Sequence, residues 1–205
     1  MTKRALAHGL KQMVAAQPFE KVNVRDLCGI CGVSRKTFYY HFRDKYELAE
    51  WIFNTEFISV LNEAEMEDRW LFVSAVCRYF HRERTFYSAL LRFEGQNSFR
   101  EYFQKFMFQT LEPFLRRNPE KVEAENCDGI PPAAVQEFYS HFVSDSIILA
   151  IFRWLTDGAE LPPEQFVALL KGVEKLLVRT SNDSGGGEDG LQQEDSAVFS
   201  ENEEG

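Results

Sequence analysis

Apolar residues return every three or four positions through most of the first 180 residues, and that single periodicity confines the chain to helices. Leu6, Leu10, Met13 and Val14 share one face at 3.6 residues per turn; so do Leu48, Trp51 and Ile52, and again Phe99, Tyr102, Phe103, Phe106 and Phe114. A β-hairpin would need strict alternation bounded by turn residues, and none is convincing. Helices are expected over 2–16, 24–30, 34–41, 44–62, 69–82, 84–94, 98–117, 132–157 and 163–179, about nine in all. Their starts carry capping chemistry. Asp44-Lys45-Tyr46-Glu47 and Ser98-Phe99-Arg100-Glu101 have capping-box form, while Pro131-Pro132 and Pro162-Pro163 suit a first turn that needs no amide donor. Gly158 is placed to end the helix between the two proline pairs.

With 205 residues, 44% of them apolar, the chain can bury a sizeable core. Residues 181–205 cannot share in it: they are Ser, Asn, Gly, Glu and Gln with scarcely an apolar side chain, and are expected to be a disordered acidic tail. No run approaches the roughly 18 apolar residues of a membrane span, and Met1-Thr2-Lys3-Arg4 does not open a secretory signal. A cytoplasmic protein away from membranes is the expectation, and four irregularly spaced cysteines agree with it.

The net charge of −9 is unevenly spread. Residues 181–205 hold eight acids and no Lys or Arg; residues 1–50 hold nine Lys and Arg against five acids, a local +4; residues 51–180 are acidic. Since charges are felt only within about 8 Å in physiological salt, a basic head can bind a polyanion despite the negative total.

Residues 19–48 carry the chemistry. Two short helices meet at Gly32, with Asn23 able to cap the first and Ser34 the second, which makes a helix-turn-helix. In the second helix Phe38 and Phe42 are four apart and face inward. Lys36 and Tyr40 lie nearly opposite, flanked by Thr37 and His41 on one side and Arg35 and Tyr39 on the other. One face is oily; the other offers two cations, a hydroxyl, two phenols and an imidazole, groups suited to phosphate oxygens and base edges in a DNA groove.

Val33-Ser34-Arg35-Lys36-Thr37-Phe38-Tyr39-Tyr40-His41-Phe42, followed by Asp44-Lys45-Tyr46-Glu47-Leu48, resembles the recognition helix and fourth-helix start of the tetracycline-repressor (TetR/AcrR) family. The resemblance covers roughly residues 5–52. It implies an all-α fold: a three-helix DNA-binding head over residues 1–48 and a helical regulatory and dimerisation domain over residues 49–180. Carried over residue by residue, the family's DNA contacts fall on Arg25, Arg35, Lys36, Thr37, Tyr39, Tyr40, His41 and Lys45. Arg25, Tyr40, His41 and Lys45 are assigned to phosphates, Lys36 and Thr37 to base edges. Arg43 stands where the family often has Pro, Lys or Ser. A weaker resemblance to one branch's C-terminal region runs through Phe138-Tyr139-Ser140-His141-Phe142, residues 147–155 and Pro162-Pro163-Glu164-Gln165-Phe166. It implies a four-helix bundle formed by helices 132–157 and 163–179 with their twofold mates. Phe142, Ile147, Ile148, Ile151, Phe152, Leu155, Leu169 and Leu176 are the expected dimer contacts.

Nineteen phenylalanines either fill the body core or line an effector cavity; Phe80, Phe86, Phe103 and Met107 are the candidates for such a lining. Cys28-Gly29-Ile30-Cys31 is a CxxC with no second ligand pair, and both cysteines fall where this helix-turn-helix buries small residues, so no metal is expected. His8, His81 and His141 form no ligand pattern, and no nucleophile elbow, phosphate loop or dinucleotide fingerprint occurs. The expectation is therefore a non-enzymatic, cofactor-free regulator of transcription: a repressor bound as a homodimer to a palindromic operator, modulated by a small-molecule or protein effector. The competing reading keeps the fold but makes it an interaction module or co-regulator acting through a protein partner.

Overall fold

The structure, a computed structural model, describes residues 2–61, 66–93, 98–116 and 129–183. Among the described residues the chain traces nine complete α-helices and two short 3-10 turns, and no strand. In chain order the helices are α1 Thr2–Ala16, α2 Val24–Ile30, α3 Arg35–His41, α4 Lys45–Glu56, α5 Arg69–Arg82, α6 Arg84–Leu91, α7 Phe99–Arg116, α8 Pro132–Thr156 and α9 Pro163–Asp183. No described helix is long and apolar enough to cross a membrane.

The expected caps form. Asp44 accepts from the amides of Tyr46 and Glu47 at 2.9 and 2.8 Å, Ser98 accepts from Glu101 at 3.2 Å, and Pro132 occupies the first turn of α8. Gly158 takes φ +101°, a conformation that favours glycine, and Ala159 N–H then closes back on the carbonyl of Trp154 at 2.8 Å. Three helix ends differ from expectation by more than one residue: α6 closes at Leu91 instead of 94, and α4 and α9 depart further. α4 ends at Glu56 instead of 62, because Phe57 turns under the core and stacks on Tyr79 with ring centroids 5.1 Å apart. α9 runs on to Asp183 instead of 179. The expected acidic tail lies outside the described residues from 184 onward.

Phe53 of α4 joins the head to the body. It is fully buried, with the rings of Tyr79, Phe80, Tyr87, Phe99, Phe103 and Phe106 within 5.4 to 6.1 Å of its own. The expected cavity lining is part of this packing. Phe80 lies 4.8 Å from Phe103 and 4.7 Å from Tyr87, Met107 is fully enclosed, and Phe86 is buried beneath the Lys11 ammonium. Rings at helical spacing have met one another, so these four side chains fill the core.

The expected dimer contacts divide in two. Ile147, Ile148, Ile151, Phe152 and Leu155 are buried within their own subunit, which corrects their assignment to a partner-facing surface. Residues 147–155 are apolar nearly all round, so periodicity could not say which stripe faces inward, and positions 147, 148, 151, 152 and 155 turned to the core. Phe142, Leu169 and Leu176 are exposed as expected, and Phe138, Leu149 and Val173 are exposed with them. Phe142, Val143, Ala150, Leu169 and Val173 border an apolar groove of about 290 Å³ between α8 and α9. Arg69 on α5 clamps Glu174 on α9 through both carboxylate oxygens, at 2.7 and 2.8 Å, beside that groove.

A polar network spans the same junction as Phe53. Lys11 of α1 pairs with Glu56 at 2.6 Å and Glu83 at 3.0 Å; Tyr79 donates to Glu56 at 3.2 Å and shares a 2.7 Å hydrogen bond with Tyr87. Burial raises the pKa of both tyrosines and pushes the Cys77 thiol up from 9.0 to about 12. All three groups are neutral in the folded chain while the unfolded chain ionises first. Their contribution is complete below pH 9 and is lost as pH rises through the folded values. Urea midpoints taken from pH 8 to 11 should therefore fall above pH 9. In Cys77→Ala the decline should be shallower by about 1.4 kcal/mol per pH unit, one proton's worth. An unchanged slope in the variant would contradict this.

Candidate nucleic-acid interface

The interface is built on α2, the turn at Gly32 and α3. Asn23 Oδ1 accepts from the Asp26 amide at 2.9 Å and starts α2; Gly32 at φ +63° reverses the chain; Ser34 Oγ accepts from the Thr37 amide at 3.1 Å and starts α3. Phe38 is fully buried and Phe42 nearly so, their centroids 5.9 Å apart, and these two rings anchor α3. Phe42 also meets Trp51 of α4 at 5.8 Å, with the Lys3 ammonium over both rings. α1 approaches α2 closely: a Cβ on Gly9 would collide with Cys31 Sγ and meet Leu27 at 3.1 Å. The Cys31 thiol donates to the carbonyl of Ala5 at 3.4 Å, and Cys28 is buried beside it, so both cysteines serve as small core residues.

With the phenylalanines inward, α3 presents the opposite side to solvent. Arg35, Lys36, Tyr39 and Tyr40 are exposed, Tyr40 at 84% of its surface; the Arg35 guanidinium lies 5.8 Å from the Tyr39 ring, and His41 sits half-buried against Tyr40 at 5.0 Å. Arg25 on α2 is also exposed. Thr37 is half-buried, its hydroxyl sharing a 2.8 Å hydrogen bond with Ser34, so it supports the cap as well as the surface. Two cations, two phenols and an imidazole thus stand on one short helix, an arrangement able to engage phosphates and base edges.

Lys45 departs from its assignment to a phosphate. It is buried at the start of α4, and its ammonium donates to the carbonyls of Phe19, Glu20 and Val22 at 2.7, 3.0 and 2.8 Å. The ammonium also lies 4.6 Å from the Phe19 ring. Burial lowers its pKa, opposed by the nearby carboxylates of Glu20 and Asp44. All three ammonium hydrogens are spent on carbonyls, so Lys45 ties the loop after α1 to the corner between α3 and α4. Arg43, at that corner, was not among the expected contacts. It is exposed, with its amide held by Glu47 at 2.6 Å, and its place two residues beyond His41 was the available signal.

Residues 68–173 match the family described as transcriptional regulator C-terminal region, and residues 8–52 match bacterial regulatory proteins, tetR family. A curated relative is the HTH-type dhaKLM operon transcriptional activator DhaS of Lactococcus lactis subsp. lactis, 24% identical over 91 residues. That alignment covers 44% of this chain and 49% of the relative, so the chain spans about half the length of the curated relative it matches. Among solved structures, the dihydroxyacetone kinase operon activator DhaS is similar at a TM-score of 0.59 and 17% identity, over 88% of this chain and 97% of that one. A TetR-family transcriptional regulator from Syntrophomonas wolfei gives 0.58 at 17% identity, over 86% and 94%. At those identities the likeness speaks to the fold. With more than half of its residues inside the C-terminal family and its head inside the other, the chain belongs to the TetR family of transcriptional regulators.

Proposed function

We propose that the chain binds a palindromic operator as a homodimer and represses transcription, with an effector setting how well the two heads fit the DNA. The outward face of α3 carries this reading: four exposed residues capable of groove contacts on a helix whose other side is fixed by Phe38 and Phe42. Each subunit places α3 in a major groove, with half-sites about 34 to 36 Å apart or a multiple of that. Arg25, Tyr40 and His41 hold phosphates, and Arg35, Lys36, Thr37 and Tyr39 lie along the groove, Lys36 reading a base. Repression needs nothing beyond occupying the promoter. DhaS is named an activator, so the sign of regulation is the point to test: deletion of the gene raises target transcription under this proposal and lowers it for an activator.

Lys36→Ala should cost about 1 to 3 kcal/mol of operator affinity and relax preference at one base pair. Gel retardation on single-base operator variants reads this directly, and equal weakening on every sequence would remove Lys36 from base readout. DNA binding that is absent, or insensitive to salt, would favour the interaction module.

The proposed dimer forms through the exposed stripe of α8 and α9. Phe142, Leu169 and Val173 place large apolar side chains in solvent around a groove, a surface a monomer rarely leaves open. Val173→Glu would put one carboxylate from each subunit into that contact. A weakening of roughly 100-fold or more in association is expected, with loss of operator binding. Sedimentation velocity showing an intact dimer in this variant would move the interface elsewhere.

A further inference from the structure

We propose that the cleft where head meets body binds an elongated organic anion with a carboxylate or phosphate at each end, and that this ligand acts on DNA binding through Lys45. The coupling rests on the proposed operator function; the binding site does not. The cleft is open on one side and holds about 630 Å³, within the range of small-molecule sites. The last turn of α1 and the loop through Glu20 form one wall, α6 forms the other, and Leu155 and Gly158 at the end of α8 close it. Ala15, Ala16, Pro18 and Ala89 give it an accessible apolar surface for a carbon skeleton.

Polar chemistry is arranged along α6. Arg84, Ser88 and Arg92 follow one another at four-residue spacing, so two guanidinium groups flank a hydroxyl, with their backbones about 12 Å apart along the helix direction. Arg92 donates to the carbonyl of Thr156 at 2.7 Å and Arg84 to that of His81 at 3.3 Å. Each contact uses part of a five-donor fork and leaves further N–H groups for a carboxylate or phosphate. The one acid in the lining, Glu20, leaves the site at +1. The core of the body, by contrast, is taken up by its own rings, as the enclosed Phe80, Phe103 and Met107 demonstrate.

The position of the cleft gives the ligand its leverage. The loop that forms its wall also presents the carbonyls of Phe19, Glu20 and Val22 to Lys45, the first residue of α4 and four residues past the end of α3. A ligand held at both ends by Arg84 and Arg92 lies with its carbon skeleton packed against that loop, and it shifts DNA affinity by as much as it prefers one position of the loop.

The test uses the full chain, with suberate and fructose 1,6-bisphosphate as two-ended anions and inorganic phosphate as the single-ended one. Isothermal titration should find at least one two-ended anion saturating one site per subunit, tenfold or more tighter than phosphate. Arg84→Gln and Arg92→Gln should each weaken it tenfold or more, Ser88→Trp should fill the cleft and abolish binding, and Arg116→Gln on α7 should change nothing. The saturating anion should also alter operator retention at least fivefold. Failure of both two-ended anions to bind, or binding indifferent to all three cleft variants, overturns the site. Arginine-dependent binding that leaves operator affinity within twofold overturns the coupling. A protein that binds no operator defeats the functional reading instead, while the titration still reports on the cleft.

Discussion

Replacing Phe53 with Ala should destabilise the protein by about 3 to 5 kcal/mol, enough to remove most of the stability of a typical domain. Phe53 is fully buried at the meeting point of rings from α5, α6 and α7, and truncation leaves a void that eight neighbouring aromatic side chains, held by one another, cannot collapse to fill. Because Phe53 lies on α4, the helix that follows α3, head and body should lose structure together. Denaturant unfolding followed by far-ultraviolet circular dichroism and by fluorescence from the three tryptophans, Trp51, Trp70 and Trp154, should show coincident transitions at a lower midpoint. Two separated transitions, or a loss below 1 kcal/mol, would mean that the ring cluster does not unite the two parts.

The second large effect is expected at Lys45. Lys45→Met keeps an unbranched side chain only one atom shorter but takes three donors away from the carbonyls of Phe19, Glu20 and Val22, at a cost of about 3 kcal/mol. The loop after α1 and the corner after α3 should loosen, lowering the melting temperature and weakening all DNA sequences alike. The salt dependence of DNA binding separates this role from a phosphate contact. Lys45→Met should leave the slope of log affinity against log salt unchanged, whereas removal of a phosphate contact lowers its magnitude by about 1. A reduced slope with unaltered melting would return Lys45 to the DNA.

Lys45 also marks the limit of what the chain discloses unfolded. The helices were legible because period, caps and proline pairs agree: Ser34, Asp44 and Ser98 all cap where their spacing to a following amide requires. The outward face of α3 was legible because Phe38 and Phe42 fix its rotation. Lys45 was misassigned because its partners are carbonyls 23 to 26 residues away, and backbone oxygens leave no mark in the sequence. In α8 the stretch 147–155 is apolar in nearly every direction, so only packing could separate the residues that serve the subunit's own core from those, such as Phe142 and Leu149, left outside. The cleft at the end of α1 was invisible for the same reason: its walls come from segments more than 60 residues apart.

The two sides of α3 answer to different demands. Phe38, Phe42 and the Ser34–Thr37 cap are committed to holding the helix in place, and Gly9 is committed to letting α1 approach Cys31. Arg35, Lys36 and Tyr40 have no such duty, since their side chains stand in solvent, while Tyr39 also meets Phe38 edge-on with ring centroids 5.4 Å apart. Under the proposed function, substitutions at Arg35, Lys36 and Tyr40 would re-specify the operator with little penalty in folding. On that reading a new operator is reached through the solvent side of α3, while a change at Gly9, Phe38 or Lys45 is felt first by the fold.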